Sequence, residues 1–328
     1  MTDRLVDLSD IRAAADRLRG IAIRTPAVAA DAIAPRLLLK AESLQPIGAF
    51  KIRGAYNAVA QLTSEERSRG VITYSSGNHA QGVARAARLL GAPAVVVMPS
   101  DAPAIKRARV EADGAEVVVV GTSSEERRLV AEELAAARGL AVIPPYDDDR
   151  IIAGQGTCGL ELAEDVADLA AVLIPIGGGG LASGVATAVK ALRPSVRVIG
   201  VEPELAADAR DSLAAGTIVA WPAEQVGRTI ADGTRTQQLG RRTFAHLRAL
   251  LDGIVTVSEA EIAAGVRLAA EGARLVVEPS GALGIAAARY RRAEAGLEAV
   301  SGSVVAVVSG GNVDPDRYRA LLASPIPG

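Results

Sequence analysis

At 328 residues, 49% of them hydrophobic, the chain is too long for one small core and has ample material for about two. Its 36 Lys plus Arg against 38 Asp plus Glu leave a net charge of -2, which excludes nucleic acid as an expected partner, because phosphate backbones are held by clustered basic residues. A single cysteine excludes an internal disulfide framework; with no apolar signal core in MTDRLVDLSD and no apolar run near the roughly 20 residues of a membrane span, a soluble cytoplasmic protein with no membrane partner is expected.

In chain order, the first unusual stretch is SLQPIGAFKIRGAYNAV (residues 43–59), which places Lys51 just past a Pro-x-Gly turn among few other charges. Lys40, Lys51, Lys106 and Lys190 are the only lysines; nearly all other basic residues are arginine. Lysine differs from arginine in that a desolvated amine gives up its proton, so Lys51 has the chemistry of a base or a Schiff-base former. Strands are predicted at 71–75, 94–98, 116–120, 171–176, 196–201, 254–258 and 304–309, alternating with Ala/Leu/Arg segments such as HAQGVARAARLLG and LASGVATAVKALRP that read as helices. Strands that are apolar on both faces argue for parallel sheets covered by helices, an α/β architecture of two lobes. The punctuation at IPPYDDDRIIAGQG (143–156) marks the far edge of an inserted lobe, giving a large domain of 1–60 and 149–328 and a small one of 61–148. Its three aspartates read as a solvated loop. Ser123-x-x-Glu126 and Ser258-x-x-Glu261 fit capping boxes.

Three loops after strands carry the chemistry, since ligands in open α/β sheets bind beyond the carboxyl ends of strands. They are SSGNHAQG from Ser75, GGGGLASG from Gly177, and SGGNVD from Ser309. Four consecutive glycines give up on the order of 2–4 kcal/mol of backbone entropy, more than a tight turn needs, and point to N–H groups closing on an anion at a helix N-terminus. Taken alone, Gly177-x-Gly179-x-x-Ala182 with Glu202 ending the next strand fits a dinucleotide fingerprint, and so a NAD-dependent oxidoreductase. That reading leaves Lys51 and the other two loops unexplained. A non-catalytic sensor of a phosphate ligand is a third reading. With only His79 and His246 present and no Ser/His/Asp arrangement, hydrolytic triads are disfavoured; His79 at a helix start and Cys158 beside glycines read as packed residues.

Together, GAFKIRG, SSGNH, the tetraglycine loop and SGGN resemble the fold type II pyridoxal phosphate enzymes (tryptophan synthase β-like), specifically the threonine dehydratase and serine racemase group, from about Ile21 to Asp314. The resemblance implies pyridoxal 5'-phosphate as cofactor, with Lys51 as its covalent anchor, Phe50 near its ring and Asn78 at its phenolic oxygen. It also implies Gly177, Gly178, Gly179 and Gly180 around the phosphate and Ser309 facing the pyridine nitrogen. A hydroxyl there goes with β-elimination more than with transamination.

The resemblance further places Ser76 on the cofactor face opposite Lys51, where racemases of the group carry serine and many dehydratases alanine. Two bases on opposite faces would let a proton leave Cα on one side and return on the other. Glu202, Ala206 and Asp208 in VEPELAAD match the family's divalent cation site, two carboxylates and a carbonyl suited to Mg²⁺, Ca²⁺ or Mn²⁺. Ser75, Ser76, Asn78, His79, Arg127 and Thr236 match substrate-binding positions. The implied activity is an ammonia-lyase converting L-threonine or L-serine to a 2-oxo acid and ammonia, with serine racemase or L-threo-3-hydroxyaspartate dehydratase as alternatives. A small hydroxy amino acid is the implied partner and a homodimer the implied assembly. The sequence ends soon after the last core strand, so feedback control by isoleucine through an appended regulatory domain is not expected.

Overall fold

A computed structural model describes residues 4–75, 77–100, 102, 104–121 and 124–327. Among the described residues ten strands form two sheets: β1 (Ala27–Ala29), β2 (Leu37–Ala41), β3 (Val71–Tyr74), β4 (Ala94–Pro99), β5 (Glu116–Val120), β6 (Ala141–Val142), β7 (Leu169–Pro175), β8 (Arg197–Pro203), β9 (Gly253–Val257) and β10 (Ser303–Val308). The six-stranded sheet runs β1-β2-β10-β7-β8-β9 and the four-stranded sheet β5-β4-β3-β6. Every pairing is parallel except that of β1 with β2. All the strands of the smaller sheet lie between Val71 and Val142, and the larger sheet takes its strands from both flanks of that stretch.

The parallel arrangement follows from residues that are apolar on both faces. Along β10, Val304, Ala306 and Val308 pack with Leu173, Leu283 and Ala286 on one side, while Val305 and Val307 pack with Ile174, Val185 and Leu162 on the other. The small sheet repeats the pattern: Val71, Val96 and Met98 meet Val83 and Ala84, and Ile72, Val95 and Val97 meet Ala131 and Ala135. Among the described residues no helix is long and apolar enough to cross a membrane.

The helix Lys51–Ala60 is held to β2 and to the helix Asp149–Asp165 through a buried charge cluster. Arg53, two residues beyond Lys51 and 1% exposed, donates to both oxygens of Glu42 at 2.8 Å and to Glu161 at 2.7 and 2.9 Å. Lys40 on β2 donates to Glu161 at 2.5 Å. The four charges cancel and their hydrogen bonds are met, the condition under which buried ions are tolerated. Burial would raise the Glu42 carboxyl, but the Arg53 guanidinium outweighs that and holds it below its usual range.

The three aspartates of 147–149 are not the solvated loop expected. Asp147 accepts from the backbone N–H groups of Arg241, Arg242 and Thr243 at 3.1, 2.8 and 3.2 Å, capping the helix Arg241–Leu250. Asp148 caps the helix Asp149–Asp165 through the Arg150 N–H at 2.7 Å, and Asp149 pairs with the Arg242 side chain. The Ser258–Glu261 capping box is present. Ser123 lies outside the described residues.

Candidate active site

β3 belongs to one sheet and β7 and β10 to the other, yet the segments after Tyr74, Pro175 and Val308 face one cavity of about 550 Å³. The cavity opens at the carboxyl ends of parallel strands, where a two-sheet α/β fold leaves backbone and side-chain donors free.

Lys51 occupies the first position of its helix and reaches the cavity wall, where its Nζ donates to the Pro145 carbonyl at 2.7 Å. Burial pushes its amine down to about 8. The Phe50 ring lies beside it, with Nζ 5.1 Å from the ring centroid. Across the cavity, Gly177–Gly180 lead from β7 into the helix Gly180–Leu192. Gly179 sits at φ 88°, a left-handed conformation that favours glycine. The first intrahelical bond is from the Ser183 N–H to the Gly179 carbonyl at 2.8 Å, so the N–H groups of Gly180, Leu181 and Ala182 have no helical acceptor. Part of the glycine requirement is steric: a Cβ on Gly178 would stand 2.1 Å from Cδ1 of Tyr146, and one on Gly179 would stand 2.9 Å from Cβ of Thr243.

On the third wall, Asn78 opens the helix Asn78–Leu90 and is held from the opposite sheet. Its Nδ2 donates to Glu278 Oε1 at 2.6 Å and its Oδ1 accepts from Asn312 of SGGNVD at 2.9 Å. The Ser309 hydroxyl, 5% exposed, faces the cavity and donates to the Ser280 carbonyl at 3.4 Å. Ser75, Arg127 and Thr236 also line it; Thr236 Oγ1 is buried with no partner among the described residues. The ring of His79 packs inward, with Nε2 3.0 Å from the Ile143 carbonyl oxygen. Burial, aided by the charge on Lys51, drives its imidazole down to about 3 and keeps it neutral. Ser76, the expected second base, lies outside the described residues.

Residues 18–310 match a family model described as "Pyridoxal-phosphate dependent enzyme". The chain belongs to that family. It is 43% identical over 318 residues, 96% of this chain and 95% of the relative, to the L-threo-3-hydroxyaspartate ammonia-lyase of Saccharomyces cerevisiae. It is 39% identical to the serine racemase of Schizosaccharomyces pombe, over 98% of this chain and all of the relative, and 40% to the L-threonine ammonia-lyase of Thermotoga maritima, over 97% and 78%. Among solved structures, maize serine racemase superposes with a TM-score of 0.91 at 39% identity, covering 97% of both chains. A threonine deaminase from T.th. does so at 0.86 and 46%, covering 94% of this chain and 99% of that one.

For a pyridoxal-phosphate dependent enzyme the donor set fits: a lysine amine of lowered basicity, a run of unengaged N–H groups for a phosphate, an amide and a hydroxyl. The nicotinamide reading falls, because Glu202 lies away from the cavity. Its Oε1 and Oε2 accept from the N–H groups of Ala209 and Arg210 at 3.0 and 2.8 Å. Asp208 beside it is 1% exposed, and neither of its oxygens has a partner among the described residues. Burial pushes Asp208 up to about 7, and burial together with Asp208 pushes Glu202 well above the carboxylate range. Two adjacent buried carboxylates, one of them without partners, fit either a shared proton or a hard cation. Among the described residues no three His, Cys, Asp or Glu side chains converge to hold a metal, so such a site must complete its shell with backbone oxygen and water.

Sequence reasoning missed four residues of the cavity wall. Lys106 bridges to Asp232 at 2.8 Å, Glu278 holds Asn78, and Tyr146 packs on the glycine loop. Burial, with Asp232 adding to it, raises Glu278 to about 7. The scarcity of lysine that singled out Lys51 applied equally to Lys106.

Proposed function

We propose that the protein is a pyridoxal phosphate-dependent ammonia-lyase that takes a β-hydroxy-α-amino acid to a 2-oxo acid and ammonia. The observation that carries this is the Lys51 amine, partly buried and lowered to about 8 on the wall facing the unengaged glycine N–H groups. Lys51 would hold the cofactor covalently, Gly177–Gly180 its phosphate, Asn78 its phenolic oxygen and Ser309 its ring nitrogen. Once bound, that cofactor supplies an electron sink for the charge left at Cα. The chain's own part is to present a neutral amine that takes the Cα proton, to bind the substrate carboxylate at the N-terminus of helix Asn78–Leu90, and to keep bulk water out.

L-Serine, L-threonine and L-threo-3-hydroxyaspartate are the candidate substrates, and racemisation is a candidate second activity. The test is oxo-acid release from each, with chiral analysis of the unreacted amino acid. Release from none of them would overturn the reading in favour of a sensor. Ser76→Ala is expected to abolish racemisation while retaining elimination within about tenfold; equal loss of both would contradict a two-face exchange.

We assign the second site, Glu202, Asp208 and the Ala206 carbonyl, to a hard divalent cation such as Mg²⁺. Saturating Mg²⁺ is expected to stabilise the chelator-treated protein by about 2–3 kcal/mol at a hundredfold excess over Kd. Thermal unfolding reads this out, and Asp208→Asn should erase the shift. A wild-type melting point that ignores Mg²⁺, Ca²⁺ and Mn²⁺ would remove the cation from the account.

A further inference from the structure

Residues 143–149, notable in the sequence only for prolines and aspartates, bring one more hydroxyl to the cavity. Tyr146 lines it, and the Tyr146 hydroxyl makes no hydrogen bond with any described residue. Its position is fixed from two sides. Its chain neighbour Pro145 supplies the carbonyl that accepts from Lys51 Nζ at 2.7 Å, so the Tyr146 backbone stands one peptide unit from the amine. Its ring lies against Gly178, closely enough that a Cβ there would stand 2.1 Å from Cδ1, and a Cβ on Gly180 would stand 3.1 Å from its Cα and Cβ. The adjacent Asp147 is not its partner: its carboxylate accepts from three backbone N–H groups instead. A phenol on the cavity wall with no described residue to bond to is free to bond a ligand that fills the cavity.

We propose that the Tyr146 hydroxyl donates a hydrogen bond to the oxygen on the substrate's Cβ, the atom that receives the electron pair when the Cβ–O bond breaks. This rests on the elimination reading above. The Cα proton passes to Lys51, the Cα–H pair becomes the Cα=Cβ double bond, and the Cβ–O pair goes to the departing oxygen. The proton gained by Lys51 is then available to complete that oxygen as water. Tyr146 keeps its own proton throughout: burial, with Tyr74, Asp147 and Asp208 nearby, pushes the phenol up to about 12. It therefore remains a donor, and a donor placed where negative charge develops acts mainly on kcat.

Tyr146→Phe keeps the ring against Gly178 and removes only the hydroxyl. The expected result is a loss of about 10²-fold in kcat for oxo-acid release from the best hydroxy amino acid, the effect of deleting one such donor. Elimination from β-chloro-L-alanine, whose chloride departs without a donor, should change by less than about threefold. The visible absorption of the bound cofactor should be unchanged. Equal losses on both substrates would assign Tyr146 a packing role and overturn the proposal, as would equal retention on both. A wild-type enzyme that releases oxo acid from β-chloro-L-alanine but from no hydroxy amino acid would overturn the parent reading and this one together.

Discussion

Lys51→Ala is expected to lower elimination by at least about 10⁴-fold, since it removes both the covalent hold on the cofactor and the base, the latter alone contributing about 10²–10⁴-fold. The magnitude follows from its protonation. With the amine lowered from 10.5 to about 8, roughly one Lys51 in ten is neutral at pH 7 when free of the cofactor. An ordinary lysine would be neutral about once in three thousand. The same difference predicts kcat rising with pH towards about 8 and then levelling, as the protonated fraction of this one base disappears. Borohydride reduction of the wild type followed by peptide mapping should find the label at Lys51. A Lys51→Ala variant that turns over within tenfold of wild type, or a label found at Lys106, would displace it.

Arg53→Ala is expected to destabilise the fold by about 3–5 kcal/mol, because it leaves Glu42 and Glu161 buried without their shared cation. At roughly 2 °C per kcal/mol for a chain of this size, the melting temperature should fall by about 6–10 °C. Replacing the cluster as a whole is expected to cost less: Lys40→Met and Arg53→Met combined with Glu42→Gln and Glu161→Gln remove all four charges together with their desolvation penalty. Differential scanning calorimetry of the single and quadruple variants decides this. A single variant that melts within 1 °C of wild type would show that the cluster contributes little.

Seven strands were legible because each runs apolar on both faces, the signature of a parallel strand between helix layers. β1, β2 and β6 were not. Two of them are only 3 and 2 residues long, and β2 carries Lys40, whose charge breaks the apolar run and is neutralised by Glu161, 121 positions away. The same non-locality hid the role of Asp147. A capping carboxylate is recognisable when the N–H groups it accepts from follow it directly, as with Asp148, but those held by Asp147 begin 94 residues later. Lys51, Asn78, Ser309 and the glycine loop could be found because each lies in a short ordered motif. Tyr146, Asp232 and Glu278 sit in segments whose composition is that of ordinary loops, and only their convergence on one cavity distinguishes them.

The segment 143–149 also bears on how the chain can be cut and extended. It reads as punctuation, the sort of exposed crossing between lobes where insertions and proteolytic nicks are usually tolerated. Here four neighbouring residues answer to four different places: Pro145 to Lys51, Tyr146 to the glycine loop, Asp147 to the helix Arg241–Leu250 and Asp148 to the helix it begins. Adding one residue would shift all four out of register at once. For circular permutation, fusion or loop grafting, the place that looks most like a seam is the one to leave uncut.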